Sequence, residues 1–144
     1  MANTVDQQQQ LDTLASVLAG MQEYLPRLAQ GCESLAGTLH AMDKAEALVT
    51  LSQIVEGMSY CPKLIQSATA LLGIKVAEPL CGNISPASYI GDLCLIFNNI
   101  NEATQNEDYS MIADLTEYDL LPAVQTAQEL FAEIQKRSME RIGD

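Results

Sequence analysis

Apolar side chains recur at alternating spacings of three and four residues through the first third of the chain. The repeating positions are Leu11, Leu14, Leu18, Met21, Leu25, Leu28, Cys32, Leu35 and Leu39. A second stripe lies beside them, at Val17, Gly20, Tyr24 and Gly31. The first pattern predicts one long helix, over about residues 6–39, that packs at small angles. The second predicts that this helix touches more than one neighbour.

The segment Tyr24–Gln30 returns almost unchanged as Tyr60–Gln66, and both copies read Tyr-x-Pro-basic-Leu-x-Gln. The similarity continues upstream at an offset of 37 residues and downstream at an offset of 36. Apolar residues of the second copy follow the same spacing: Leu48, Leu51, Val55, Met58, Pro62, Ile65, Thr69 and Leu72. We interpret the pair as an internal duplication, with a second helix over about residues 43–73.

Both copies carry a proline inside the helical pattern. Pro26 and Pro62 each remove a backbone donor, so a kink is expected at each. A short turn near residue 41 makes the two helices antiparallel. In that register Gly20 lies opposite Pro62 and Gly57 opposite Pro26, so each bend faces a residue without a side chain.

Local signals mark where the second helix begins and ends. Asp43, followed three residues later by Glu46, predicts an N-cap of the capping-box type. Gly73 is typical of a helix C-cap. Residues 74–85 contain Pro79 and Gly82 without sustained periodicity, which indicates one long connection.

Two further helices are predicted in the second half. Ser85 followed by Pro86 is a helix start, because a hydroxyl N-cap precedes a proline at the first helical position. Helices are expected over about residues 86–106 and 108–142, the second with a third proline, Pro122. The predicted fold is all-α: a single domain over residues 1–144 forming a four-helix up-down-type bundle. Its helices are long and proline-kinked, and its first hairpin is internally duplicated.

The net negative charge of the chain and its distribution indicate which kinds of partner the protein could bind. The net charge is -12, which disfavours nucleic acid, since phosphate binding requires clustered Lys and Arg. No Lys or Arg occurs from Val76 to Gln135, while ten Asp or Glu do. That half of the chain could attract a basic protein, although negative charge also keeps a Leu-rich protein soluble.

The sequence lacks the features of a membrane or secreted protein. No uncharged apolar run approaches the roughly 18 residues of a membrane span, and the first ten residues do not resemble a signal peptide. Four cysteines show no C-x-x-C pair, so free and mostly buried thiols are expected. A cytoplasmic location is the resulting expectation.

Catalytic and metal-binding patterns are missing from the sequence. His40 is the only histidine, so neither a catalytic triad nor a histidine-rich metal site can be assembled. Bundles that relay phosphate use a single exposed histidine, but they place it mid-helix, and His40 ends a helix. We therefore expect no enzyme activity, catalytic residue, metal or cofactor, and keep a phosphate relay at His40 only as an alternative.

Two groups of residues are candidate binding sites. The first is the densest acidic cluster of the last helix, a candidate docking point for a basic partner: Asp114, Glu117, Tyr118 and Asp119. The second surrounds the two bends, where facing kinks would open a groove: Met21, Tyr24, Pro26, Met58, Tyr60 and Pro62. Each group also has a purely structural interpretation. The acidic cluster would be a solvated helix face, and the tyrosines at the bends would only fill space beside the prolines.

The leading functional hypothesis is a non-enzymatic cytoplasmic protein-interaction module, an adaptor or an assembly or secretion chaperone. Its expected partner is a protein, basic or helical, or a second copy of the chain as a homodimer. A bundle that binds a small molecule or lipid in the groove is the alternative. The run Ala113–Pro122 resembles segments of small uncharacterised bacterial helical proteins, a likeness over ten residues that implies no function.

Overall fold

The computed structural model describes residues 3–41 and 44–143. Their side chains are described except at positions 3, 4, 36, 38, 40, 41, 142 and 143. The protein is all-α, and the described residues contain no strand. Their α-helices are α1 (Asn3–Ala41), α2 (Lys44–Met58), α3 (Tyr60–Leu72), α4 (Pro86–Gln105), α5 (Tyr109–Leu115) and α6 (Leu121–Gly143), with a π-helical turn (Thr116–Leu120) between α5 and α6.

Helix α1 is continuous and spans the predicted range. All the positions of the heptad pattern are buried except Met21, which is half-buried. Pro26 lies inside the helix on its exposed side. The carbonyl of Gln22, which loses its N–H partner to this proline, can therefore be hydrated without ending the helix.

The second predicted helix is two helices in the structure, divided at Ser59, whose own backbone dihedrals remain in the helical region (φ −67°, ψ −18°). The Ser59 N–H bonds to the carbonyl of Val55 at 2.9 Å and its hydroxyl bonds to the carbonyl of Glu56 at 2.5 Å. Pro62 then falls in the first turn of α3, where backbone N–H groups have no partner within the helix. The single helix expected over residues 43–73 is thus corrected to α2 and α3.

Five of the eight predicted inward positions of α2 and α3 are buried, and the other three, Leu48, Val55 and Pro62, are half-buried. The buried side chains of this face are Ala47, Leu51, Ile54, Met58, Cys61, Ile65, Ala68, Thr69 and Leu72. Leu48 and Val55, together with Phe97, line a cleft between α2 and α4. The apolar residues of α2 therefore divide between the core and a second neighbour.

Helices α1 and α2 approach each other closely at two glycines. Gly31 belongs to the second stripe of α1, and Gly57 belongs to α2. A Cβ atom at Gly57 would stand 2.5 Å from the hydroxyl oxygen of Tyr24, and one at Gly31 would stand 3.1 Å from Ile54 Cδ1. These contacts are antiparallel, and Gly57 faces Tyr24, two residues before Pro26. The predicted partner of Gly20 is wrong, because nothing lies within 4 Å of a Cβ atom built there.

The predicted helix ends at Gly73 and Ser85 are present. Gly73 adopts φ +69°, and the N–H of Ile74 bonds to the carbonyl of Thr69 at 2.9 Å, which is a Schellman motif. The Ser85 hydroxyl accepts from the Ser88 N–H at 3.1 Å, while the Ser88 hydroxyl accepts from the Ser85 N–H at 3.2 Å. This is a capping box with serine in place of glutamate. The N-cap expected at Asp43 lies outside the described residues.

Helix α6 lies along α1 and also contacts α3, while α5 and the π-helical turn contact α1. The predicted inward positions of the last helix are all buried: Leu120 in the π-helical turn, and Val124, Ala127, Phe131 and Ile134 in α6. Near its end, Arg141 donates a hydrogen bond to the carbonyl of Leu72 at 3.0 Å. This packing fixes α5 and the π-helical turn at the surface, beside the end of α4.

Candidate functional site

The predicted acidic cluster lies where α5 passes into the π-helical turn. Asp114 belongs to α5, whereas Glu117, Tyr118 and Asp119 belong to the turn itself. Tyr118 is 67% exposed, Asp114 and Glu117 are exposed, and Asp119 is half-buried. We call these four residues the acidic surface. An exposed tyrosine among carboxylates offers apolar contact area as well as charge.

The π-helical turn has a local cause in the sequence. The N–H of Leu121 bonds to the carbonyl of Thr116, five residues earlier, and Pro122 follows. In an unbroken α-helix the ring of Pro122 would collide with the carbonyl of Tyr118, four residues before it. The wider turn relieves this conflict by placing one extra residue ahead of the proline. Such turns are rare and occur often at functional sites.

Buried hydrogen bonds hold both sides of this turn. The hydroxyl of Thr116, which is fully buried, donates to the carbonyl of Ile112 at 2.8 Å. On the other side, the hydroxyl of buried Tyr89 donates to the carbonyl of Ala123 at 2.7 Å. The first bond lies within the segment that carries the acidic surface, whereas the second joins the end of that segment to α4.

A pocket of about 350 Å³ opens between the end of α4 and the start of α5. Its lining residues are Asn99, Glu102, Ala103, Asn106, Asp108, Met111 and Leu115. Ala103 and Leu115 are buried while Met111 is 46% exposed, so the pocket has an apolar floor within a polar rim. Its volume is at the lower end of the range for ligand pockets, about 300–1,000 Å³. We call it the α4–α5 pocket.

The backbone between α4 and α5 gives the pocket a defined shape. The Asp108 N–H bonds to the carbonyl of Ala103 at 2.9 Å, and the Asp108 carboxylate accepts from the N–H of Met111 at 3.1 Å. Asp108 thus caps α5. The preceding Glu107 has φ +52°, a left-handed conformation that is uncommon for residues other than glycine. The tight reversal places Met111 in the wall of a pocket that the end of α4 also lines.

Positive charge is scarce around this part of the molecule. The ion pairs found among the described residues join Lys75 to Glu78 at 3.7 Å and Arg137 to Glu133 at 3.4 Å, and neither uses the acidic surface. The ammonium of Lys44 lies 4.4 Å from the ring centroid of Tyr109, at the start of α5. This lysine therefore makes a cation–π contact with the ring of Tyr109, the first residue of α5.

The six residues of the predicted groove are distributed between surface and core. Tyr24 covers Gly57 and is 38% exposed, while Tyr60 is 60% exposed. Met58 is fully buried, with its sulfur 4.0 Å from the Cys61 thiol. Met21 and Pro62 are half-buried and Pro26 is exposed. The structure therefore brings Tyr24 close to Gly57 and places Tyr60 on the outer side of α3.

The four thiols are free and differ in exposure: Cys32 and Cys61 are buried, Cys81 is half-buried and Cys94 is exposed. Burial raises the pKa of Cys32 and of Cys61 to about 12, with a further contribution from Glu33 at Cys32. Burial also raises the pKa of Cys81, as do the nearby carboxylates of Glu129 and Glu133. These three thiols are poor nucleophiles at neutral pH, because the thiolate is the reactive form.

Chemistry at His40 or at a metal finds no further support within the described part of the chain. His40 is in the last turn of α1, and its side chain lies outside the described residues. No group of three or more His, Cys, Asp or Glu among the described residues is arranged to hold a metal ion. None of the described helices combines the length and apolarity that crossing a bilayer demands.

The sequence reasoning identified the acidic surface but missed the adjoining pocket. Its polar rim comes from the run 98–108, where the sequence predicts the end of one helix and the start of the next. The sequence does contain a signal for the start of a helix at this point. Asp108 stands three residues before Met111, whose N–H it caps, and Met111 follows a polar run. That Ala103, Met111 and Leu115 converge depends on how α5 folds back against α4, which spacing alone does not give.

A family model described as "Domain of unknown function (DUF8042)" matches residues 16–130. This range contains the whole of the acidic surface and the α4–α5 pocket. No curated protein and no solved structure matches the chain.

Proposed function

The chain belongs to the DUF8042 family, and we propose that it is a non-enzymatic protein-interaction module that binds a basic partner through the acidic surface. It would act as an adaptor or as an assembly or secretion chaperone. Its four cysteines, which are all free, support a reducing compartment, the cytoplasm, as its place of action.

One observation carries the proposal: Tyr118 and its flanking carboxylates stand on a solvent-exposed π-helical turn. An unpaired carboxylate cluster attracts cationic side chains, while an exposed tyrosine is a residue type enriched in interfaces. The distribution of charge supports the same partner, since no Lys or Arg occurs between Val76 and Gln135.

We infer that the scaffold behind this surface is a four-helix up-down-type bundle with an internally duplicated first hairpin. In this bundle α2 and α3 together count as the second helix, and α5, the π-helical turn and α6 together count as the fourth. The antiparallel contact of Tyr24 with Gly57 supports the first hairpin. The bond from Arg141 to the carbonyl of Leu72 supports the return of α6 beside the end of α3.

The test is quantitative affinity purification from a lysate of the source cells, with two charge-reversed variants beside the wild-type chain. In the first, Asp114, Glu117 and Asp119 are changed to Lys. In the matched control, the exposed residues Glu23, Glu33 and Glu56 are changed to Lys, which alters the net charge equally.

The proposal predicts proteins with basic segments that are recovered by the wild type and by the control but lost with the first variant. Their recovery should fall as salt is raised, because screening weakens contacts between exposed charges. Equal recovery by both variants would remove the acidic surface as the docking site. Size-exclusion chromatography with light scattering on all three proteins separates this outcome from homodimer formation.

A second candidate function, the binding of a small apolar ligand, is favoured by the cleft between α2 and α4. It measures about 190 Å³ and is lined by Leu48, Leu51, Ser52, Val55, Phe97, Ile100, Asn101 and Thr104, without a charged residue. Such a lining suits an uncharged molecule, and the volume, below the roughly 300 Å³ of typical ligand pockets, restricts it to a very small one. Native mass spectrometry of the purified chain should then show a retained ligand that a Ser52→Phe variant loses.

A further inference from the structure

We propose that the partner is a basic amphipathic helix, and that one of its large apolar side chains inserts into the α4–α5 pocket. This inference rests on the proposed function, because it assigns the chemistry of the partner that the acidic surface would bind. It adds a second recognition element, an apolar one, beside the charged one.

The floor of the pocket supplies the apolar contact. Ala103 is 5% exposed and Leu115 is 8% exposed, so their side chains are already fixed in the core. Met111 closes the side of the pocket while remaining 46% exposed. A thioether adapts to apolar side chains of different shape, and methionine is common at surfaces that bind helices. A volume of about 350 Å³ leaves room for a large aliphatic or aromatic side chain.

The charged rim of the pocket indicates which residues of the partner would flank the inserted side chain. Glu102 and Asp108 line it, and both are exposed. Asp114 follows Met111 by three residues on α5 and is exposed as well, so the rim continues into the acidic surface. Residues flanking the inserted side chain would therefore be Lys or Arg, which pair with these carboxylates.

The shape of the exposed track favours a helix over an extended peptide. Asp108, Met111 and Tyr118 are exposed along α5 and the π-helical turn, and the buried Leu115 lies between Met111 and Tyr118 as part of the pocket floor, at successive spacings of three, four and three residues. This track is a helix face, and a second helix packs into such a face with its own residues at i, i+3, i+4 and i+7. The described residues offer no strand edge to which an extended peptide could add.

The test uses a display library of helical peptides, randomised along one face and selected on the full-length wild-type chain. Expected binders carry Lys or Arg on both sides of one large apolar residue. A synthetic version of the strongest binder is then measured on four proteins: wild type, Asn99→Phe, Asn98→Phe, and the Asp114→Lys, Glu117→Lys, Asp119→Lys triple variant.

Asn99 and Asn98 form a matched pair, since both are exposed on α4 and only Asn99 lines the pocket. Filling the pocket in Asn99→Phe should weaken binding about tenfold, the loss expected when one large apolar side chain no longer enters its pocket. Asn98→Phe should bind as the wild type does. Replacing the apolar residue of the peptide by Ala should cause a similar loss on the wild type and little further loss on Asn99→Phe. If Asn99→Phe does not fold, Met111→Ala takes its place, because it removes the pocket wall without adding bulk.

The outcomes separate the two proposals. Equal binding by Asn99→Phe and Asn98→Phe, together with a loss in the triple variant, overturns the pocket and leaves the acidic surface standing. Selection of acidic or neutral peptides, or unchanged binding by the triple variant, overturns both. Loss in the triple variant and in Asn99→Phe, but not in Asn98→Phe, supports both.

Discussion

The hydroxyl of Tyr89 donates a hydrogen bond to the carbonyl oxygen of Ala123 at 2.7 Å, and thereby joins α4 to the first turn of α6 directly after Pro122. Tyr89 is 4% exposed, so the bond forms away from water. Burial also raises the pKa of Tyr89, which keeps the hydroxyl protonated as a donor. The contact links the segment carrying the acidic surface to the helix that provides half of the α4–α5 pocket.

Tyr89→Phe should lower the free energy of unfolding by about 1 kcal/mol, the usual net contribution of a hydrogen bond between uncharged groups. Urea unfolding of the full-length chain measures it. Tyr60→Phe is the control, because Tyr60 is 60% exposed and its change should stay within about 0.5 kcal/mol. Equal midpoints for the two variants would show that the bond to Ala123 adds nothing to stability.

Two glycine substitutions should act in opposite directions. Gly20→Ala should stabilise the protein by about 0.5–1 kcal/mol, because alanine favours the helix and nothing lies within 4 Å of the new methyl group. Gly57→Ala should destabilise it by about 1 kcal/mol, because the methyl group would stand 2.5 Å from the Tyr24 hydroxyl oxygen and displace the ring. Thermal unfolding measures both changes.

A double variant tests the cause of the second effect. Removing the ring with Tyr24→Ala should turn Gly57→Ala from destabilising to neutral or stabilising, since the two residues are in direct contact. If Gly57→Ala proves as stabilising as Gly20→Ala in the wild-type background, the close approach of Tyr24 to α2 is refuted.

Ser85→Ala should lower the free energy of unfolding by about 1 kcal/mol, because it removes the side-chain acceptor that caps α4. Ser85→Gly should cost only a few tenths of a kcal/mol. Ser67→Ala in the exposed interior of α3 is the matched control and should be neutral or slightly stabilising. A Ser85→Ala variant as stable as Ser67→Ala would be inconsistent with the capping box.

Stability should fall in alkaline solution. The pKa of Cys32 and of Cys61 rises from 9.0 to about 12 on folding, and that of Tyr89 also rises. The unfolded chain therefore releases these protons at lower pH than the folded chain. The associated stability is complete below pH 9.0 and is lost progressively as the pH rises towards about 12.

Urea midpoints between about pH 8 and pH 11 measure this dependence, which linkage assigns to the protons released on unfolding. A Cys32→Ala, Cys61→Ala variant should show a shallower decline over that range, whatever its stability at neutral pH. Parallel curves for the variant and the wild type would mean that these thiols do not ionise differently in the two states.

The burial predicted from the sequence is right for some helices and wrong for others. The heptad positions of α1, except the half-buried Met21, and the inward positions of α6 are buried as predicted, because a single amphipathic stripe admits one inward face. On α2 the apolar residues cover more than one stripe, so Leu48 and Val55 were assigned to the core although they face α4 across a cleft. The break at Ser59 was missed, since a proline pattern predicts a disturbance without saying which residue absorbs it.

The acidic surface was predictable because charge and exposure go together on a helix. The α4–α5 pocket was not, because Ala103 and Met111 belong to different helices and meet only after the chain reverses at Glu107 and Asp108.

The amino-acid sequence by itself determined the all-α fold class, the helix caps at Gly73 and Ser85 and the placement of negative charge. All of these depend on residues within a few positions of one another, where backbone geometry leaves few choices. Only the tertiary structure decided that Pro62 lies in the first turn of a new helix while Pro26 lies within one, and that the start of α5 forms a pocket with the end of α4. Those outcomes depend on which neighbours pack against each turn, and the free energy of that packing is summed over residues far apart in the chain.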